Sequence, residues 1–210
     1  MIRWLKVALF LLCLVPAARE TWRGFHDDLG ANPIEHITHF TGDWTIRFLV
    51  FTLCVTPFRK LLRQPSLIRF RRMLGLFAFF YGSLHLMTYL WLDKFFAWDE
   101  IVKDVYKRPF ITAGFTAFCF MLPLAVTSTA GWIRRMGGKR WRTLHRLIYF
   151  SAIAGVIHYY WLVKSDVRKP LMYASMVGVL LLYRLAVAVL ERRGKSATSA
   201  QPASSPSSVY

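Results

Sequence analysis

Residues 73–92 read MLGLFAFFYGSLHLMTYLWL, twenty positions without an Asp, Glu, Lys or Arg and with one histidine, His85. Roughly 20 mainly apolar residues make a helix long enough to cross the hydrocarbon core of a bilayer. Four further stretches share this character: about Trp44–Phe58, Phe110–Thr129, Leu144–Val163 and Leu171–Leu190. A sixth, Trp4–Ala18, is shorter and carries Lys6. The pattern predicts an all-α integral membrane protein, a six-transmembrane-helix bundle. With Arg3 and Lys6 ahead of its apolar run and Pro16-Ala17-Ala18 behind it, the first segment also fits a cleaved leader. The orientation below is the same on either reading.

Composition agrees. The 210 residues are 55% hydrophobic and 16% aromatic, with a formal charge of +17. Positive mean hydropathy (+0.35) argues against a soluble nucleic-acid binder, which could carry the charge alone. The apolar content also excludes disorder for everything but the tail. Cys13, Cys54 and Cys119 lie in apolar runs without CxxC spacing, so neither a disulfide framework nor a zinc site is indicated.

Charge placement sets the orientation. Arg59–Arg72 and Arg134–Arg146 each hold six Lys or Arg and no acid. With both chain ends, that face has 18 basic residues and one acid, whereas the opposite connections balance at 10 and 10. The basic face is cytoplasmic by the positive-inside rule, which puts both termini in the cytoplasm. These basic runs either orient the chain against anionic lipid or form a docking face; nucleic acid is not needed to explain them. Residues 1–193 form the transmembrane domain. Residues 194–210, rich in Ser, Ala and Pro, are expected to be a disordered cytoplasmic tail.

Ionisable groups at membrane depth are costly and point to function. His85 lies 7 residues from Leu92 and His158 lies 5 from Val163, about 10 and 8 Å below the outer boundary at 1.5 Å per residue. Two imidazoles at one level on helices running the same way suit the axial ligands of one haem iron. Gly82 and Gly155, each three residues earlier, are expected to leave room for the macrocycle. His145 sits 13 residues before His158, about 140° round a straight helix, and the position of matching depth on the third segment is Arg72. A second haem is therefore disfavoured. His145 instead lines an inner site for a flavin or quinone, or lies at the interface beside Arg142 and Arg146; the residues leave both readings open. Asn32-Pro33 reads as a helix start, which would bring His36 and His39 onto one face near Asp43. Too few ligands are evident there for a metal, and a surface role is expected.

The chain resembles the MsrQ (YedZ) family of haem-containing membrane subunits of bacterial periplasmic methionine-sulfoxide reductase systems. The resemblance runs over about residues 1–193. It rests on Gly30-Ala31-Asn32-Pro33-Ile34-Glu35 through Thr41-Gly42, on Thr56-Pro57-Phe58-Arg59, on Arg71-Arg72-Met73-Leu74-Gly75-Leu76 leading to His85, and on Leu144-His145-Arg146-Leu147-Ile148-Tyr149 leading to His158. It implies a ferric-reductase-like transmembrane fold in the bacterial inner membrane. It also implies an electron-transfer subunit that takes electrons from the quinone pool or a cytosolic flavin reductase. These pass through haem b to MsrP, a periplasmic molybdopterin reductase that repairs oxidised methionines and carries the substrate chemistry. By resemblance one haem b is held by His85 and His158, His145 is the third family histidine, and FMN is bound. No residues spell a flavin fingerprint. Arg71, Arg72 and His145 are the expected flavin or quinone site, since guanidinium groups suit phosphate; the two arginines equally fit the positive-inside bias alone. The alternative is a stand-alone membrane haem reductase, a ferric reductase or quinone-linked cytochrome b. Against it stands the lack of any GxGxxG in the chain. The outer connections Asn32–Asp43 and Asp93–Arg108 are the expected docking surfaces for the partner.

Overall fold

Asn32 begins α2 (Pro33–Leu61) as its sequence predicts. Its side chain accepts from the Glu35 N–H at 3.3 Å and donates to the Glu35 carboxylate at 2.9 Å, satisfying backbone donors that a helix start leaves orphaned. The helix then runs unbroken to Leu61, so the segment of His36, His39 and Asp43 and the apolar run from Trp44 are one element.

The computed structural model describes residues 2–199. Among them the chain is helical and has no strand. Besides α2 the helices are α1 (Ile2–Phe25), α3 (Ile68–Met87), α4 (Trp98–Lys107), α5 (Pro109–Val126), the short α6 (Ala130–Met136) and α7 (Gly138–Leu144), α8 (Leu147–Leu162) and α9 (Arg168–Ser199). Among the described residues three stretches are long and apolar enough to cross a membrane: Pro65–Asp93, which contains α3, Pro109–Val126, which is α5, and Arg168–Glu191 in α9. The other long helices pack beside these in alternating sense. Thr38 with His85 and Thr52 with Gly75 set α2 antiparallel to α3. Phe110 with His158 and Ala117 with Ser151 do the same for α5 and α8.

The core is aromatic where α2 meets α3. Phe48 stacks on Phe77 at 5.6 Å and on Tyr81 at 5.2 Å, with Leu49, Leu53 and Ala78 buried around them. Two prolines decide how other helices join this core. A proline inside a helix supplies no N–H to the carbonyl four residues earlier. Pro57 thereby frees the Leu53 carbonyl, and Arg184 of α9 donates to it at 2.6 Å. One residue after Pro16, the Tyr81 hydroxyl accepts from the Ala17 N–H at 3.1 Å and donates to the Cys13 carbonyl at 2.9 Å. A side chain is thus wedged into the α1 ladder, a recognised cause of helix bending.

Two expectations change. The helix expected over 144–163 breaks: His145 caps the end of α7 with φ −69° and ψ 0°, and α8 starts at Leu147. The 140° offset from His158, which assumed one straight helix, therefore does not describe this chain. The boundary expected at Gly194 also moves, because α9 continues to Ser199. Extending a formed helix needs only one further bond per residue, which outweighs one unfavourable glycine. Residues 200–210, the rest of the expected tail, lie outside the described residues.

Candidate functional site

The imidazoles of His85 on α3 and His158 on α8 stand with centroids 5.9 Å apart and planes at 74°. Each is anchored in the same manner. The His85 Nδ1 donates to the Thr38 carbonyl at 2.9 Å, and the His158 Nδ1 to the Phe110 carbonyl at 2.6 Å. A carbonyl can only accept, so the proton is on Nδ1 and the lone pair on Nε2 of each ring. A hydrogen bond from the second nitrogen to a backbone carbonyl is what orients a metal-ligating histidine. Imidazole binds transition metals at about 2 Å, so two rings sharing one ion hold their ligating nitrogens about 4 Å apart. The observed separation is of that order once the ring radii are added. The pair fits one haem iron.

The seats of the two rings are glycines. Four residues after Thr38 comes Gly42, where a Cβ would stand 3.1 Å from the His85 Cε1. Four residues after Phe110 comes Gly114, where a Cβ would stand 2.7 Å from the His158 Nδ1. In both helices the accepting carbonyl is the one whose helical donor is that glycine. The missing side chain lets the imidazole reach the carbonyl's second lone pair. Gly82 and Gly155, expected to leave room for the macrocycle, do not seat the imidazoles. Gly82 is used for packing, since a Cβ there would meet the Met121 Cε at 2.9 Å, and Gly155 faces Leu49 at an ordinary 3.9 Å. Thr41-Gly42 was visible as a motif; Gly114 gave no signal, because only the tertiary pairing puts it opposite His158.

Arg47 of α2 donates to the Tyr173 hydroxyl at 3.2 Å and contacts the Asp43 carboxylate at 3.5 Å. His36 does not join His39 in a ligand set: its Nε2 lies 2.5 Å from the buried Glu20 carboxylate of α1. Among the described residues no group of three His, Cys, Asp or Glu could hold a metal ion. An open cleft of about 420 Å³ at this end is lined by Glu35, His36, His39 and Asp43 among others.

The opposite end holds the remaining candidates. The His145 ring stacks on Trp141 at 3.9 Å, and its Nε2 lies 3.1 Å from the Thr127 hydroxyl. Arg71 and Arg72 are close enough for their charges to act on it. Sequence reasoning missed Arg184, a half-buried residue that donates to the Tyr149 hydroxyl at 2.8 Å and whose charge acts on the half-buried Arg71. No acid pairs with either arginine among the described residues.

The pattern of the family described as ferric reductase like transmembrane component matches residues 41–156. A protein of Herminiimonas arsenicoxydans, named protein-methionine-sulfoxide reductase heme-binding subunit MsrQ, is 53% identical over 86% of this chain and 84% of its own length. Proteins of the same name from Azospira oryzae and Xanthomonas campestris pv. campestris are 55% and 46% identical, covering 86% and 96% of this chain and 78% and 94% of their own. No solved structure matches. With identity at this level spread over nearly the whole chain, the protein belongs to the MsrQ family.

Proposed function

We propose that this chain is the haem-binding electron-transfer subunit of a methionine-sulfoxide reductase system in the bacterial inner membrane. In this reading six helices cross the bilayer with both termini cytoplasmic. Electrons enter from the quinone pool or a cytosolic flavin reductase and leave to a periplasmic, MsrP-type molybdopterin reductase, which repairs oxidised envelope proteins. The observation that carries it is the His85–His158 pair, 5.9 Å apart, each ring turned by a backbone carbonyl so that Nε2 is the free ligand.

His85 and His158 hold one haem b, which supplies one-electron redox chemistry when bound. The Thr38 and Phe110 carbonyls fix the tautomer of the two ligands, and Gly42 and Gly114 fix their approach. At the other end, Arg71, Arg72 and His145 bind the inner carrier, FMN or a quinone, with the guanidinium groups matched to phosphate. The partner docks over Asn32–Asp43, the segment that both anchors His85 and lines the open cleft.

Reduced-minus-oxidised spectra of the detergent-purified protein, beside His85→Ala, His145→Ala and His158→Ala, test this. A low-spin b-type signal lost at 85 and 158 and largely kept at 145 is expected; loss at 145 alone overturns the assignment. A second reading, a self-contained ferric reductase or quinone-linked cytochrome b, is favoured by the ferric-reductase-like match alone. It requires turnover without the soluble partner, which reoxidation kinetics with and without that partner distinguish.

A further inference from the structure

Between the end of one apolar stretch at Asp93 and the start of the next at Pro109 lies α4, a sharply two-sided helix. At 100° per residue, Ile101, Val105, Trp98, Val102 and Tyr106 occupy one arc of about 140°, and Asp99, Lys103, Lys107, Glu100 and Asp104 the remainder. Ile101 alone on the apolar arc is buried against the protein. Trp98, Val102 and Tyr106, one turn apart, are 62%, 67% and 90% exposed.

The stripe continues into its neighbours. Trp91 at the end of the first span and Phe95 in the following turn are 61% and 77% exposed. Phe95 and Phe96 both have positive φ, 47° and 57°, a conformation that bulky side chains rarely adopt. The turn is held by the Phe96 N–H bonded to the Leu90 carbonyl at 2.8 Å and by Lys94 bonded to Asp104 of α4 at 2.9 Å. It ends the helical run from α3 and starts α4 separately at Trp98.

We propose that α4 is an interfacial helix bedded in the bilayer leaflet at which α3 ends and α5 begins, with Trp98, Val102 and Tyr106 at the boundary between headgroups and acyl chains. Three observations commit the surface to lipid. It lies in the chain directly between two stretches that are themselves long and apolar enough to cross a membrane, Pro65–Asp93 and Pro109–Val126. Its two most prominent rings are Trp and Tyr, the residues that settle at membrane interfaces. Its exposed polar arc, with Asp99 and Glu100 against Lys103 and Lys107, sums to zero and offers a soluble partner no charge to steer by. The connection Asp93–Arg108 thereby passes from a docking surface to a lipid anchor, leaving Asn32–Asp43 for the partner.

The test uses the full chain in nanodiscs of phosphatidylethanolamine and phosphatidylglycerol, with Cys13, Cys54 and Cys119 replaced by Ala and a nitroxide placed on Val102→Cys or Lys103→Cys. Collision with oxygen relative to a water-soluble nickel chelate is expected to be several-fold higher at 102 than at 103. Equal ratios, or a ratio at 102 that changes only when a soluble protein is added, overturn the proposal. Hydroxyl-radical footprinting of the unsubstituted protein in the same nanodiscs gives a second readout. Trp98 and Tyr106 are expected to be protected despite their exposure on the chain, and oxidation at the rate of water-facing rings overturns it. Neither readout depends on haem, so the outcome is separable from the electron-transfer reading.

Discussion

Arg184 of α9 donates to the Leu53 carbonyl of α2 at 2.6 Å, the carbonyl that Pro57 leaves without its helical donor. The same guanidinium donates to the Tyr149 hydroxyl of α8 at 2.8 Å, so one side chain ties three helices. Removing a charged donor from a buried acceptor costs about 1–3 kcal/mol, and Arg184→Met is expected to destabilise the protein by that amount. Pro57→Ala restores a backbone donor to the same carbonyl and should recover part of the loss. A double-mutant cycle of unfolding in detergent checks this; strictly additive effects would show that the two residues do not share the carbonyl.

The two glycine seats differ in tightness, and haem loading should follow. At Gly114 a Cβ would lie 2.7 Å from the His158 Nδ1, closer than the 3.1 Å at Gly42 to the His85 Cε1. Gly114→Ala is expected to lower the haem-to-protein ratio several-fold, and Gly42→Ala to lower it less. The quantity to read is the low-spin signal per protein, with secondary structure followed by circular dichroism. Full loading in both variants would remove the role of the glycines.

Tyr81 is fully buried, and its hydroxyl bridges the Ala17 N–H and the Cys13 carbonyl. Tyr81→Phe keeps the ring stacked on Phe48 and removes only the wedge. A net loss of about 1 kcal/mol is expected, in line with a neutral hydrogen bond, together with closer approach of α1 to a straight helix. The distance between spin labels at the two ends of α1 reads the second effect.

The ion pair that holds α4 has a defined pH window. The hydrogen bond from Lys94 depresses the Asp104 carboxyl below its ordinary value, burial opposes this, and the charges of Arg108 and Lys94 reinforce it. The same bond raises the Lys94 ammonium above its ordinary value. A depressed acid stabilises fully above its unfolded value of 3.8 and loses that contribution as pH falls through the folded value. A raised base stabilises fully below 10.5 and loses its contribution as pH rises through the folded value. Mobility of a label on α4 is thus expected to be flat between these limits and to rise outside them. Asp104→Asn should abolish the acid limb.

Much of this was legible beforehand because its causes are local. The Asn32 cap depends on residues three positions apart, and the apolar runs need only length and composition. The depth of His85 and His158 follows from counting along two helices, and that count paired them before any contact was known. The rotation of His145 relative to His158 was not legible for a matching reason: the count assumed an unbroken helix, whereas the chain turns at His145 and Arg146.

Sequence alone determined that this protein lives in a membrane, where its main apolar stretches lie, which connections are basic and which two histidines share a level. All of these follow from hydropathy, charge and the fixed rise of a helix. Tertiary structure alone decided which groups meet: Gly42 and Gly114 under the imidazoles, the Thr38 and Phe110 carbonyls on Nδ1, Arg184 on Leu53, Tyr81 in α1. Those meetings depend on the rotation of each helix about its axis and on where prolines free a carbonyl. Pro57 frees its carbonyl by position alone, but the rotation that brings Arg184 to it is set only when the helices pack against one another.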